Sequence, residues 1–87
     1  MTKITFRAEI LQEDDLYVSL CPELNVSSFG ETVEEARRSL HEAMEAFIGE
    51  CEAMGTLEDV MSEAGFVKER GTWIRRKPVT EEALSIG

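Results

Sequence analysis

His41 is the only histidine, and Glu45 follows it by four residues, the spacing at which a helix sets a carboxylate beside an imidazole to orient a general base. Such a base needs a nucleophile, and the nearest hydroxyl, Ser39, projects from another side of the same helix. The pair therefore reads as the border of a helix surface. Glu13, Asp14 and Asp15 place three carboxylates in a row, the ligand type that hard cations prefer, but the spaced acids and central glycine of a calcium loop are missing. A solvated hairpin turn accounts for them, because Asp favours turns. Two-metal hydrolysis requires acids converging from separate elements, and Glu9 and Glu31 alone are too few. Cys21 and Cys51 lack the repeated Cys/His spacing of a zinc site and read as reduced, partly buried thiols. No cofactor or metal is expected.

Residues 68–77 hold Lys68, Arg70, Arg75, Arg76 and Lys77 against Glu69 alone, a net +4, so the rest of the chain carries −13. With Trp73 available to stack on a base, this segment is a candidate nucleic-acid patch. The competing reading is an edge strand whose cations discourage strand pairing, with Trp73 in the core. The second is preferred, since no DNA-reading helix accompanies the patch.

The elements that must position these groups follow from periodicity. Ile4, Phe6, Ala8 and Ile10 alternate with Thr5, Arg7 and Glu9, as in a half-buried strand. A turn at Glu13–Asp15 leads to a second strand with Leu16, Val18 and Leu20 expected inward and Tyr17 and Ser19 outward. Pro22 ends it, Glu23 to Asn25 turn the chain, and Val26 to Phe29 form a third strand. Thr32 and Glu35 make a capping box that opens a long helix, whose stripe is Val33, Ala36, Leu40, Ala43, Met44, Phe47, Ile48 and Cys51. Glu34, Arg38 and Glu42 are spaced for surface ion pairs on its other side. Gly55 stops this helix, a short one carries Leu57, Val60, Met61 and Ala64, and Gly65 closes it with Phe66 folding back on Met61. Residues 67–76 form a strand or a small hairpin about Arg70 and Gly71, with Trp73 and Ile74 facing opposite ways. Residues 79–87 are a weakly patterned tail beyond a single domain over 1–78. The class is α+β, an antiparallel sheet with a long helix on one face.

The 87 residues carry a net charge of −9 and are 43% hydrophobic, too apolar for a disordered acidic tail. The acidic balance argues against general nucleic-acid or direct DNA binding and favours a basic partner. No apolar run is long enough to span a bilayer and the first residues lack a secretion signal's apolar core, so a cytoplasmic location is expected. A thin sheet covered on one face leaves its other face open, which points to a homo-oligomer with Tyr17 and Phe29 as cover.

From Tyr17 to Ala36 the chain resembles HicB-type antitoxins and their short solitary relatives. The carriers are the turn Pro22, Glu23, Leu24, the step Gly30, Glu31, Thr32, and the helix opening Glu34, Glu35, Ala36. The likeness extends over roughly residues 3–52, with Gly65, Phe66 and Trp73 similar to the last strand of the solitary members. It implies a partial ribonuclease-H-like β-β-β-α-(α)-β fold without nuclease activity. It also implies a partner, a small basic HicA-type toxin that cleaves messenger RNA. The customary C-terminal DNA-binding domain does not fit into the fourteen residues after Trp73. The expected function is therefore a non-catalytic antitoxin-like protein that receives its partner on Glu13, Asp14, Asp15, Glu31 and Glu34 by complementary charge. A small nucleic-acid-binding module and a ribonuclease-H-like nuclease are the rivals.

Overall fold

The computed structural model describes residues 3–87. Strands β1 (Lys3–Ile4), β2 (Glu9–Glu13), β3 (Leu16–Cys21) and β4 (Val26–Gly30) precede helices α1 (Val33–Met54) and α2 (Leu57–Glu63). Strands β5 (Phe66–Glu69) and β6 (Thr72–Arg75) close the fold. An α+β architecture is thus established, but the expected single antiparallel sheet is two three-stranded sheets. One is the antiparallel meander β2-β3-β4; the other has the order β1-β6-β5, with β1 and β6 parallel.

The alternation from Lys3 to Ile10 keeps its phase but loses its continuity. Ile4 and Phe6 pack on the core below α2, and Ile10 stands opposite the buried Ser19. Between Ile4 and Glu9 the chain leaves one sheet and enters the other, Thr5 N–H still donating to the Trp73 carbonyl at 2.9 Å. Phe6 and Leu24 pack against both hydrophobic clusters and so join the two halves.

In β3 the inward set is the reverse of expectation. Ser19 and Cys21 are fully buried, while Leu16 is 40% exposed, so Leu16, Val18 and Leu20 face away from α1. A one-residue change of phase moves every side chain to the other face. The reason for it lies in how closely α1 approaches. An ideal Cβ on Gly30 would lie 2.5 Å from Ala36 N and 2.7 Å from Glu35 Cβ, so the first turn of α1 rests on the end of β4. Only small side chains fit beneath it, and Ser19 Oγ donates to the Ala36 carbonyl at 2.7 Å.

Helix α1 begins at the expected cap, Thr32 Oγ1 accepting from Glu35 N–H at 3.0 Å, although among the described residues the Glu35 carboxylate does not return the bond that a full capping box would make, and it ends on Gly55 in the left-handed conformation at φ 71°. Its buried stripe is Ala36, Leu40, Met44 and Cys51. Glu34 pairs with Arg37 at 2.6 Å, not with Arg38, three residues being as good a helical spacing as four. The β5–β6 hairpin turns on Arg70 and Gly71, both at positive φ, and Trp73 and Ile74 face opposite ways. Beyond Arg75 the chain has no regular secondary structure, and Val79, Leu84 and Ile86 are exposed. Among the described residues no helix is long and apolar enough to cross a membrane.

Candidate binding surface

Strand register assembles an acidic end from three separate stretches of chain. Glu13 pairs with Leu16, so Asp14 and Asp15 form the two-residue tip of the β2–β3 hairpin, with Asp14 at φ 54°. Tyr17 pairs with Gly30, which brings Glu31 to the same end of the meander. Glu34 follows in the first turn of α1, where a carboxylate also offsets the helix dipole. Glu13, Asp14, Asp15 and Glu31 enter no ion pair among the described residues, and Glu34 engages only Arg37 there. The five partner-binding candidates therefore share one end of the molecule, with four carboxylates unpaired among the described residues.

The far end is different in kind. Glu23, its side chain only 14% exposed, lies 3.5 Å from Arg7 Nη2 and 3.6 Å from Arg75 Nε; Arg75 also reaches Glu81 at 3.2 Å. Arg75 is thus committed within the fold. Trp73 is only 4% exposed and packs with Met61 and Phe66, so it is not free to stack on a base. This corrects its place in the candidate nucleic-acid patch: the indole is core, and Lys68 Nζ lies over its ring at 5.7 Å from the centroid. Lys68, Arg70, Arg76 and Lys77 remain exposed around it.

Phe29 and Tyr17 do not form one patch. Phe29 pairs with Val18 on the uncovered face, whereas Tyr17 shares the parity of Ser19 and lies half-buried on the helix side. The residues that do accompany Phe29 are Leu11 and Val18 in the same cross-strand row, with Leu16 and Leu20 beside Val18 along β3. Sequence reasoning missed them because Leu16, Val18 and Leu20 read as core. A shallow depression of about 630 Å³ on this face is lined by Glu13, Asp14, Leu16, Val18, Ser27, Ser28 and Phe29.

The remaining reactive groups are dispersed. His41 Nδ1 lies 3.1 Å from Glu45 Oε1, both side chains mostly exposed and without a nucleophile between them. Cys21 Sγ lies 3.8 Å from Glu23 Oε1, and burial, seconded by that carboxylate, raises the thiol above its ordinary 9.0. It is a neutral thiol at physiological pH, and Cys51 is likewise buried and reduced. Glu9 is level with Leu20, four residues along β3 from Leu16 beside Glu31, a separation of ~13 Å by strand rise alone. Those two acids do not converge on ions about 4 Å apart. Among the described residues no group of three or more His, Cys, Asp or Glu side chains is arranged to hold a metal. Comparison of the chain with protein-family models, with curated proteins and with solved structures finds no match.

Proposed function

We propose that this chain is a non-catalytic, antitoxin-like binding protein of the HicB type that neutralises a small basic toxin by receiving it at the acidic end. The observation that carries the reading is the convergence of Glu13, Asp14, Asp15, Glu31 and Glu34 through register and helix start, four of them without a cation among the described residues. Unneutralised like charges at one end produce a field that accelerates and orients encounter with a basic protein. The strand order lends support to the partial ribonuclease-H-like arrangement. If β1 and β2 are counted as one interrupted strand, the order is β4-β3-(β2/β1)-β6-β5, with a parallel pair formed by the first and last strands. The separation of Glu9 from Glu31 and the burial of Trp73 weigh against the nuclease and nucleic-acid-module readings respectively.

The test is messenger-RNA cleavage by a small basic HicA-type protein, with and without this chain. Stoichiometric inhibition is expected, lost when the five acids are changed together to Lys. Undiminished cleavage, or inhibition unaffected by the charge reversal, overturns the assignment.

A further inference from the structure

The meander has one face under α1 and the other uncovered by any of the described residues: the molecule spans 38 × 34 × 20 Å, a thickness that one sheet and one helical layer fill. On the uncovered face Leu11, Val18 and Phe29 form a row across all three strands, with Leu11 57% and Phe29 63% exposed. Along β2 the same face reads Glu9, Leu11, Glu13, because alternate residues share a side. Two carboxylates thus flank an apolar row, each ~7 Å from Leu11 along the strand; Glu13 has no ion pair among the described residues, and Glu9 lies 3.8 Å from Arg7 Nη2 in an exposed pair that a partner's cation can join or replace.

We propose that this face is the docking surface for a cationic amphipathic helix of a protein partner. The inference rests on the proposed function and adds to it the place and the shape of the partner's contact. A helix laid across the strands with its apolar stripe on Leu11, Val18 and Phe29 presents Lys or Arg on both margins of that stripe, one margin on the Glu9 side of the row and the other on the Glu13 side. Helix-in-groove recognition works by this division, apolar anchors giving affinity and flanking charge giving orientation. A second copy is the poorer occupant, because it sets one −9 molecule against another and carries the same Glu9 and Glu13 to the contact.

The experiment uses the full chain and two labelled 18-residue Leu–Lys peptides of one composition, one ordered to be amphipathic as a helix and the other scrambled. Fluorescence anisotropy in moderate salt should show the ordered peptide binding at least tenfold more tightly. Changing Leu11 and Phe29 together to Ser should weaken it at least tenfold, and both positions are exposed enough for the fold to survive, as circular dichroism will verify. Changing Asp14, Asp15, Glu31 and Glu34 to Lys, with Glu9, Leu11 and Glu13 untouched, should preserve the preference for the ordered peptide. Equal binding of both peptides, or serine variants that bind like the parent, overturns the proposal. So does a parent dimer in sedimentation that Phe29→Ser splits, since the face then belongs to a second copy. Toxin inhibition lost with the four Lys changes but kept with the two Ser changes overturns the docking face alone and leaves the acidic-end reading standing.

Discussion

The two sheets of this small protein differ in what their own strands bury. Under α1 the meander's strands contribute small groups, Ser19, Cys21 and the Gly30 backbone, with Leu40 and Met44 of the helix filling the cluster around Cys21, and at Gly30 no further atom fits. The β1-β6-β5 sheet buries large ones, Met61, Phe66 and Trp73, with Ile4, Ile48 and Leu57 at their margins. At Gly30 the first half is limited by close approach, whereas the second is filled by volume throughout. Close approach makes the contact of Gly30 with the first turn of α1 intolerant of additions, while bulky side chains make the other half intolerant of removals. Phe6, Leu24 and the Glu23 carboxylate between Arg7 and Arg75 are where the halves meet.

Removing volume is the strongest way to test the contrast. Trp73→Ala is expected to cost about 3–5 kcal/mol, a large share of the stability of a domain this size. Hydrogen exchange should show β5 and β6 losing protection first, with β3 and β4 holding longer, if the halves open as separate units. Simultaneous loss in both sheets would mean that Phe6 and Leu24 couple them into one. Adding volume should act on the other half. Gly30→Ala places a methyl against the backbone of Glu35 and Ala36 and is expected to cost about 1–3 kcal/mol, lowering Tm by on the order of 10 °C. Exchange should then quicken in β4 and the first turn of α1 before β6. A Gly30→Ala protein with unchanged Tm would refute the close approach.

That contrast also explains what the sequence discloses. Local signals were legible: the Asp14–Asp15 tip, the Thr32 cap, the Gly55 stop and the Arg70–Gly71 turn each depend on a few neighbouring residues. So was the large core, because Met61, Phe66 and Trp73 are apolar wherever they are read. Beneath α1 the helix side was legible too, Ala36, Leu40, Met44 and Cys51 lying on the expected stripe, but the strand side was not, since Ser19 is polar and its burial rests on a hydrogen bond to Ala36, seventeen residues away. Hydrophobicity therefore placed Leu16, Val18 and Leu20 inward, which also hid the open row around Phe29. The interruption between Ile4 and Glu9 was equally hidden, because the alternation runs through it unbroken and only the pairing partners change. For the acidic end, charge picked out the residues, whereas their convergence is a property of register that appears only after strands pair.

A smaller effect is expected at the junction. Glu23→Ala leaves Arg7 and Arg75 without their common carboxylate, at a cost of about 1–2 kcal/mol for a partly buried charged contact. The distinguishing measurement is a double-mutant cycle with Trp73→Ala. Non-additivity beyond ~0.5 kcal/mol places Glu23 in the linkage between halves, and simple additivity assigns it to the β3–β4 turn alone.

The smallest expected effect lies in the small core and is read through pH. Burial beneath α1 and the neighbouring Glu23 raise the Cys21 thiol above its ordinary value, so the unfolded chain gives up that proton at lower pH than the folded one. In the alkaline range the unfolded state consequently binds fewer protons, and stability falls as pH rises. The contribution is fully present below the ordinary thiol value and drains away as pH climbs from about 8 toward the raised folded value. Urea midpoints from pH 7 to pH 10 should therefore decline more steeply for the parent than for Cys21→Ala, whatever constant offset the missing sulfur introduces. Parallel slopes would mean that the thiol ionises as easily folded as unfolded and would refute the effect of its burial.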